Sequence, residues 1–169
     1  MSLYIRHADI NDCEALGIIH SESWKVTYRG IVPDLILDNM TAKKSEEKFY
    51  YSISHKEGKT VLALKDNMPA GFMCLGRCRD EDLKEITGEI WGIYLMPYYF
   101  RQGIGKELLY WGINYLKDEG FNKISLWVLE ENINARNFYE RMGFVHDGKI
   151  NELNIGKPLN EFRYIKIVS

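Results

Sequence analysis

"PYYFRQGIGKELL", residues 97–109, sets two glycines either side of one isoleucine, after a basic residue and before a helical pattern. The first turn of a helix carries N–H groups without intrahelical partners and a partial positive charge, which together hold a phosphate. Glycine tolerates a positive φ and lets a ligand come close to the backbone. The stretch follows "GEIWGIYLM", a strand that Pro97 stops. Two known phosphate loops are excluded by position. A Walker loop needs Gly five residues before its Gly-Lys and Ser or Thr after it, where this chain has Phe100 and Glu107. The dinucleotide fingerprint needs a third Gly, where Leu108 stands. Taken alone, the stretch is equally a tight turn whose glycines serve sterics only.

Working outward, "LYIRHA" reads as a first strand, and "TVLALK", a turn at "DNMP" and "AGFMCLGRCR" as a hairpin. Asp9 (with Asp12 three residues on) and Thr41 read as helix N-caps, and Pro33 as a first helical residue. Three helices are therefore expected before the hairpin: one reaching about Tyr28, "PDLILDNM", and "AKKSEEKFYYSIS". Ile104, Leu108, Ile113 and Leu116 share a face of a helix over 103–118. Gly120 and Gly143 end two helices, with "KISLWVL" and "NARNFYERM" between them, and strands near "KINELN" and "NEFRYIKIV" close the chain around "IGKP". The order predicts one mixed α/β domain over 1–169, with a crossover helix after the third central strand. Linkers, repeats and low-complexity segments are absent from the sequence.

Composition narrows the function classes. The chain has 169 residues, 27% charged and 46% hydrophobic, an ordinary globular balance with room for one sizeable core. A formal charge of −2 gives no overall attraction to nucleic acid or an anionic membrane. No apolar run approaches the roughly 20 residues of a span, and "MSLYIRHADIND" lacks the layout of a signal peptide. Three cysteines argue against a disulfide framework and for the cytoplasm. Cys74 and Cys78 have the wrong spacing for a zinc knuckle and the four histidines are scattered, so no metal is expected.

A second stretch joins the first. "WVLEENINARNFYERMGF" follows at the distance of one helix and one strand, and resembles the second signature of the GNAT family of N-acetyltransferases. "GEIWGIYLMPYYFRQGIGKELL" is similar to that family's first signature. The resemblance covers residues 89–144 in motif and nearly the whole chain in element order. It departs at Phe100, where the family usually carries Arg or Gln, with Arg101 one place later. "SESWKVTYRGIVPD" resembles a bacterial subgroup of the family, with no substrate attached to the likeness.

The resemblance implies an acyl-CoA N-acyltransferase fold: a central, mostly antiparallel sheet splayed at the cofactor site and flanked by helices. It implies transfer of an acetyl group from acetyl-CoA to a primary amine of a small molecule or peptide, by direct attack in a ternary complex. The diphosphate would lie on the amides of Arg101, Gln102, Gly103, Ile104, Gly105 and Lys106. The pantetheine arm would pair with backbone near Leu95, as an added strand does. Asn132 matches the cofactor-contacting Asn of the family, and Asn134 either assists it or caps the helix.

Glu89 matches a strand carboxylate that often acts as base through water; otherwise it is a strand-end acid facing solvent. Freeing an alkylammonium of its proton at pH 7 costs about 4.6 kcal/mol, so a base is useful. Tyr139 matches the tyrosine general acid that serves the leaving sulfur, or else is a core aromatic beside Phe138.

His20, Trp24 and Tyr28 share one helix face. Such a stripe is more often core, but in this fold the first helices roof the acceptor pocket, so Trp24 and Tyr28 are candidate substrate contacts. Glu22 and Asp34 near that roof hint at a cationic acceptor, or are a solvated face. The closing strand puts Phe162, Tyr164 and Lys166 on one side, with Tyr164 expected to pack beside Phe162. A homodimer is implied by fold-level analogy. The second reading of the chain is a CoA-binding sensor or partner-binding module without catalysis; Tyr139 and Glu89 favour the enzyme.

Overall fold

A computed structural model of the chain describes residues 2–83 and 86–168. Strand β1 (Leu3–His7) leads through a 3-10 turn to α1 (Cys13–Thr27), α2 (Asp34–Asp38) and α3 (Ala42–Ser54). Strands β2 (Lys59–Lys65), β3 (Met68–Arg77) and β4 (Thr87–Leu95) follow, then α4 (Ile104–Asp118), β5 (Lys123–Leu129), α5 (Ile133–Arg141), β6 (Val145–Asn154) and β7 (Pro158–Ile167).

The expected local signals operate with small changes. Asp9 and Asp12 form a reciprocal capping box, but on the short 3-10 turn before α1. Thr41 Oγ1 accepts the Lys44 N–H at 3.2 Å and starts α3. Pro33 stands one place before the first helical residue of α2, at its N-cap. Asp66 and Asn67 both take positive φ in the β2–β3 turn, the pairing that suits the twist of a two-residue hairpin.

Among the described residues seven strands form one sheet in the order β1-β2-β3-β4-β5-β7-β6, parallel only between β4 and β5. This is the mixed α/β order that the sequence predicts and the mostly antiparallel sheet that the resemblance implies. One face is covered by α4 and α5: Leu108, Leu109 and Tyr139 pack with Ile90, Leu126 and Tyr164. The other face carries α1, whose Leu16 and Ile19 meet Leu62 and Phe72. Lower on the same face, Val32 and Leu37 cover Leu129 and Leu159. Tyr164 is fully buried on the Phe162 side, as expected.

The sheet opens in its middle. Pairing of β4 with β5 runs from Thr87↔Lys123 to Ile90↔Leu126 and stops. Beyond it, β4 stays on β3 as far as the Gly71↔Leu95 pair, and β5 stays on β7 as far as Leu129↔Glu161. The cause is local. Cys74 pairs with Gly92 but Leu75 with Ile90, so Trp91 is an extra residue, and such a bulge bends its strand away from its neighbour. Residues 91–95 therefore leave their β5-facing backbone edge unpaired.

Candidate active site

At the top of the opening stands the glycine loop. Arg101 and Gly103 take φ of 60° and 86°, and Gly103 is the N-cap of α4. No side chain caps this helix. Among the described residues, the N–H groups of 101–106 find no acceptor in the protein. The two glycines are needed for different reasons. Gly103 has open space around it but a left-handed backbone that other residues adopt only with strain. Gly105 has no positive φ, and a Cβ there would meet Leu95 Cδ1 at 3.7 Å and Phe138 Cζ at 3.9 Å, ordinary contacts. Nothing inside the protein requires glycine at 105. The open side of that position does, if a ligand lies against it. Amides without acceptors, an absent side chain and an unpaired strand edge together fit a diphosphate with an extended arm.

Below the loop, tyrosines from both faces of the sheet meet at the opening. Tyr94 comes from β4, Tyr28 from the end of α1 and Tyr139 from α5. The Tyr139 hydroxyl is raised well above its usual pKa, by burial first and by Tyr94 second. Tyr28 is likewise raised, by burial above all and then by Tyr94, Tyr139 and Glu161 around it. These phenols stay protonated through the neutral range. Trp24 stacks edge-on to Tyr28 with ring centroids 4.7 Å apart, and its buried indole N–H lies toward the Tyr94 hydroxyl. His20, the third member of the stripe, bonds Ser45 Oγ through Nδ1 at 2.9 Å and packs among Trp24, Phe49, Phe72 and Tyr94. Burial lowers its pKa to about 4, so it is neutral at pH 7.

On the α1 side of the sheet, beside the last β4–β5 pairs, lies a cavity of about 300 Å³. Glu89, Asp80 and Glu161 line it with Arg79, Trp127, Lys149 and Asn151. Glu89 is only 1% exposed, so it is not the solvent-facing strand end that was one expectation. Its Oε1 accepts from the Arg79 N–H at 3.0 Å and from Nε at 3.4 Å, and its Oε2 from the guanidinium at 2.8 Å. Arg79 lies over Trp91 at 4.7 Å, so the bulge residue also backs the ion pair. Behind the cavity, buried Arg163 bonds Asp80, Asp82 and Asp147 at 3.2, 2.8 and 2.7 Å. That contact, with Arg163 bonding through both terminal nitrogens, brings the Asp82 pKa down to about 2.

The structure thus brings Trp24, Tyr28 and Tyr139 together, sets Leu95 against Gly105, and puts Glu89 in the adjoining cavity. One expectation is corrected. Asn132, not Asn134, caps α5, its Oδ1 accepting the Ala135 N–H at 3.3 Å, while Asn134 is exposed one residue inside the helix. Capping favours the residue just before the first turn, and the helix starts at Ile133, one residue before the Asn-Ala pair. Of the two alternatives for Glu22 and Asp34, the structure shows the solvated face: Glu22 is exposed and Asp34 is paired with Arg29 on the surface. Sequence reading passed over Arg79, Asp80, Tyr94, Trp127 and Glu161. Alternation along "NEFRYIKIV" does set Glu161 and Arg163 on one face, a signal that was available. Among the described residues no group of His, Cys, Asp and Glu could hold a metal, and no helix is long and apolar enough to cross a membrane.

Comparison with known proteins agrees with this geometry. Residues 24–144 match the model of the acetyltransferase (GNAT) family. The chain is 31% identical over 151 residues to a spermidine N(1)-acetyltransferase of Thermoplasma acidophilum, covering 85% of this chain and 89% of that one. It is 32% identical over 130 residues to the uncharacterized N-acetyltransferase YuaI of Bacillus subtilis, covering 76% and 72%. The crystal structure of PaiA N-acetyltransferase from Thermoplasma acidophilum in complex with coenzyme A superimposes with a TM-score of 0.76 at 28% identity, over 99% of both chains. The chain belongs to the GNAT family and is an acetyl-CoA-dependent N-acetyltransferase, whose acetyl group passes to an amine.

Proposed function

We propose that this acetyltransferase acts on a primary amine of a small, multiply cationic molecule of the polyamine kind. The amine attacks acetyl-CoA directly, with both bound to a single domain over 1–169, in the cytoplasm. The observation that carries the acceptor class is the cavity, three of whose lining side chains are carboxylates. Similarity to a spermidine N(1)-acetyltransferase supports the same class.

In this reading the free N–H groups of 101–106 receive the diphosphate, and the unpaired edge of 91–95, ending at Leu95, pairs with the pantetheine arm. Asn132 holds the mouth of α5 in shape beside the arm, with Asn134 on the exposed side of it. Trp24 and Tyr28 close the acceptor end. Direct attack needs the amine without its proton, and a carboxylate of the cavity receives it; Glu89 is the one the family resemblance implies. The bond from carbon to sulfur breaks with its electrons going to sulfur. Tyr139, still protonated because of its burial, donates a hydrogen bond to the thiolate as it forms. So high a pKa makes complete transfer from the phenol uphill, which assigns Tyr139 chiefly to charge stabilisation.

The test is release of free thiol from acetyl-CoA with spermidine, shorter diamines, monoamines, amino acids and peptides. Diamines and longer polyamines should exceed neutral or acidic monoamines by at least about tenfold in kcat/KM at low salt, where exposed charges attract most. Equal rates across the panel would overturn the cationic acceptor. Tight coenzyme A binding with no thiol release for any amine would favour the second reading, a non-catalytic sensor.

A further inference from the structure

We propose that Glu161 receives the acceptor's ammonium group and takes its proton, while Glu89 serves to hold Arg79 and the cavity wall. This rests on the acetyltransferase reading above and names the residue that does the recognition.

The bonding of the cavity carboxylates separates them. Both oxygens of Glu89 are already occupied by Arg79. Asp80 Oδ2 accepts from Trp127 Nε1 at 3.0 Å and from Arg163 at 3.2 Å. Glu161 accepts only from Asn151 Nδ2, at 3.1 Å through Oε1. Among the described residues its Oε2 has no donor and neither oxygen is in an ion pair. Among the described residues it is the cavity carboxylate without a cation partner, since Glu89 is paired with Arg79 and Asp80 with Arg163.

Its place in the sheet is also the useful one. Glu161 pairs with Leu129, three residues past the last β4–β5 pair, Ile90↔Leu126. At roughly 3.3 Å per residue that is about 10 Å beyond the fork, beside the opening rather than behind it. Its strand alternation sets it on the same face as Arg163 and Trp127, the face that the cavity occupies. Tyr28, whose pKa Tyr94 and Tyr139 raise, is raised by Glu161 as well, so this carboxylate is within electrostatic reach of the opening.

The charged groups around Glu161 are Asp80, Glu89 and Arg79, with Lys149 on the cavity lining. Burial first, then Asp80 and Glu89, raise its pKa, while Asn151 and Arg79 oppose them. A carboxylate so placed is a stronger base than an exposed one, and it is better matched to a reaction near neutral pH. The ammonium gives one proton to Glu161 and becomes a neutral amine. The nitrogen lone pair forms the bond to the acetyl carbon while the carbon–sulfur bond breaks toward sulfur. The second proton on nitrogen then goes to the thiolate beside Tyr139, and Glu161 returns its proton to solvent.

The experiment uses the full chain with acetyl-CoA and spermidine as acceptor. Wild type should show log kcat/KM rising with pH and levelling once Glu161 is ionised. Glu161→Gln should lower kcat/KM at pH 7 by at least about 100-fold, within the range expected of a general base. Its profile should climb about tenfold per pH unit toward the pKa of the amine, near 10.4. Glu161→Asp should restore part of the rate and the levelling, and both variants should keep the wild-type affinity for coenzyme A by calorimetry, which reports an intact fold. A Glu161→Gln enzyme within threefold of wild type, with the levelling unchanged, overturns the role of Glu161 alone. A wild type that binds coenzyme A but acetylates no amine overturns the acetyltransferase reading, and this role with it.

Discussion

The site has two halves built on different principles. The loop over 101–106 offers backbone N–H groups from six consecutive residues, whereas the cavity proposed for the acceptor is made of side chains from β4 to β7 and from the segment after β3. A backbone site is specified by the few residues that shape the chain locally, so it should tolerate Phe100 at a position where the family resemblance implies Arg or Gln. A side-chain site is specified by partners up to 83 residues apart, as Arg163 and Asp80 are. The first half should fail through changes of backbone and close approach, the second through changes of charge.

The largest effect should come from the rear of the cavity. Arg163→Met leaves Asp80, Asp82 and Asp147 without their shared cation; removing one partner of a buried ion pair costs roughly 3–5 kcal/mol. A thermal melt should show Tm lower by roughly 10 °C. A melt within 2 °C of wild type would mean that the three carboxylates find other partners, and that the cavity wall is less fixed than its bonding implies.

The loop half is sharpened by Gly105→Val. The protein itself accommodates a Cβ there, so the melt should be unchanged while the coenzyme A dissociation constant rises at least about 100-fold, or about 2.7 kcal/mol. Unchanged affinity would remove the diphosphate from this loop. Tyr139→Phe, at the junction of the halves, should lower kcat by about 100-fold with little change in KM for acetyl-CoA. Full turnover with chemistry rate-limiting would return Tyr139 to a packing role beside Phe138. Glu89→Gln should cost less than about tenfold in kcat/KM and leave the shape of the pH profile alone. A lost acid limb in that variant would restore Glu89 as the base.

The smallest effect lies in the pH dependence of stability, where two carboxylates of the same region have opposite signs. Asp82 is held down to about 2, chiefly by its bond to Arg163. Its stabilising contribution is present above its unfolded pKa, near 3.8, and fades as pH falls toward 2. Glu161 is raised by burial, so its contribution is full below its unfolded value and is lost as pH climbs through the folded one. Glu161→Gln should therefore be slightly more stable than wild type at pH 7 and equal to it at pH 4. An unchanged difference across that range would place Glu161 in solvent.

This contrast also explains what could be read in advance. Gly103, Gly105 and Leu108 lie in one short stretch and Asn132 to Tyr139 in another, so local pattern exposed α4 and α5 as elements, and the resemblance to the GNAT family gave the loop its ligand. The three-fold sharing of Arg163 did not show, because Asp80, Asp82 and Asp147 lie in segments that meet only when β7 is inserted between β5 and β6. Asn132 and Asn134 were confused for a smaller reason: helix starts are uncertain by a residue, and both are good caps.

The bulge at Trp91 has a mechanical consequence. With β4 and β5 joined by four residue pairs, the sheet is two plates, β1–β4 and β5–β7, on a short hinge line. Amide exchange should find the weakest protection between the plates at 123–126, since local opening follows the sparsest hydrogen bonding. A pantetheine arm laid along 91–95 would bridge the plates and brace them. Coenzyme A should then slow exchange in β5, across the hinge from the strand edge the arm pairs with, and stiffen the molecule as a whole.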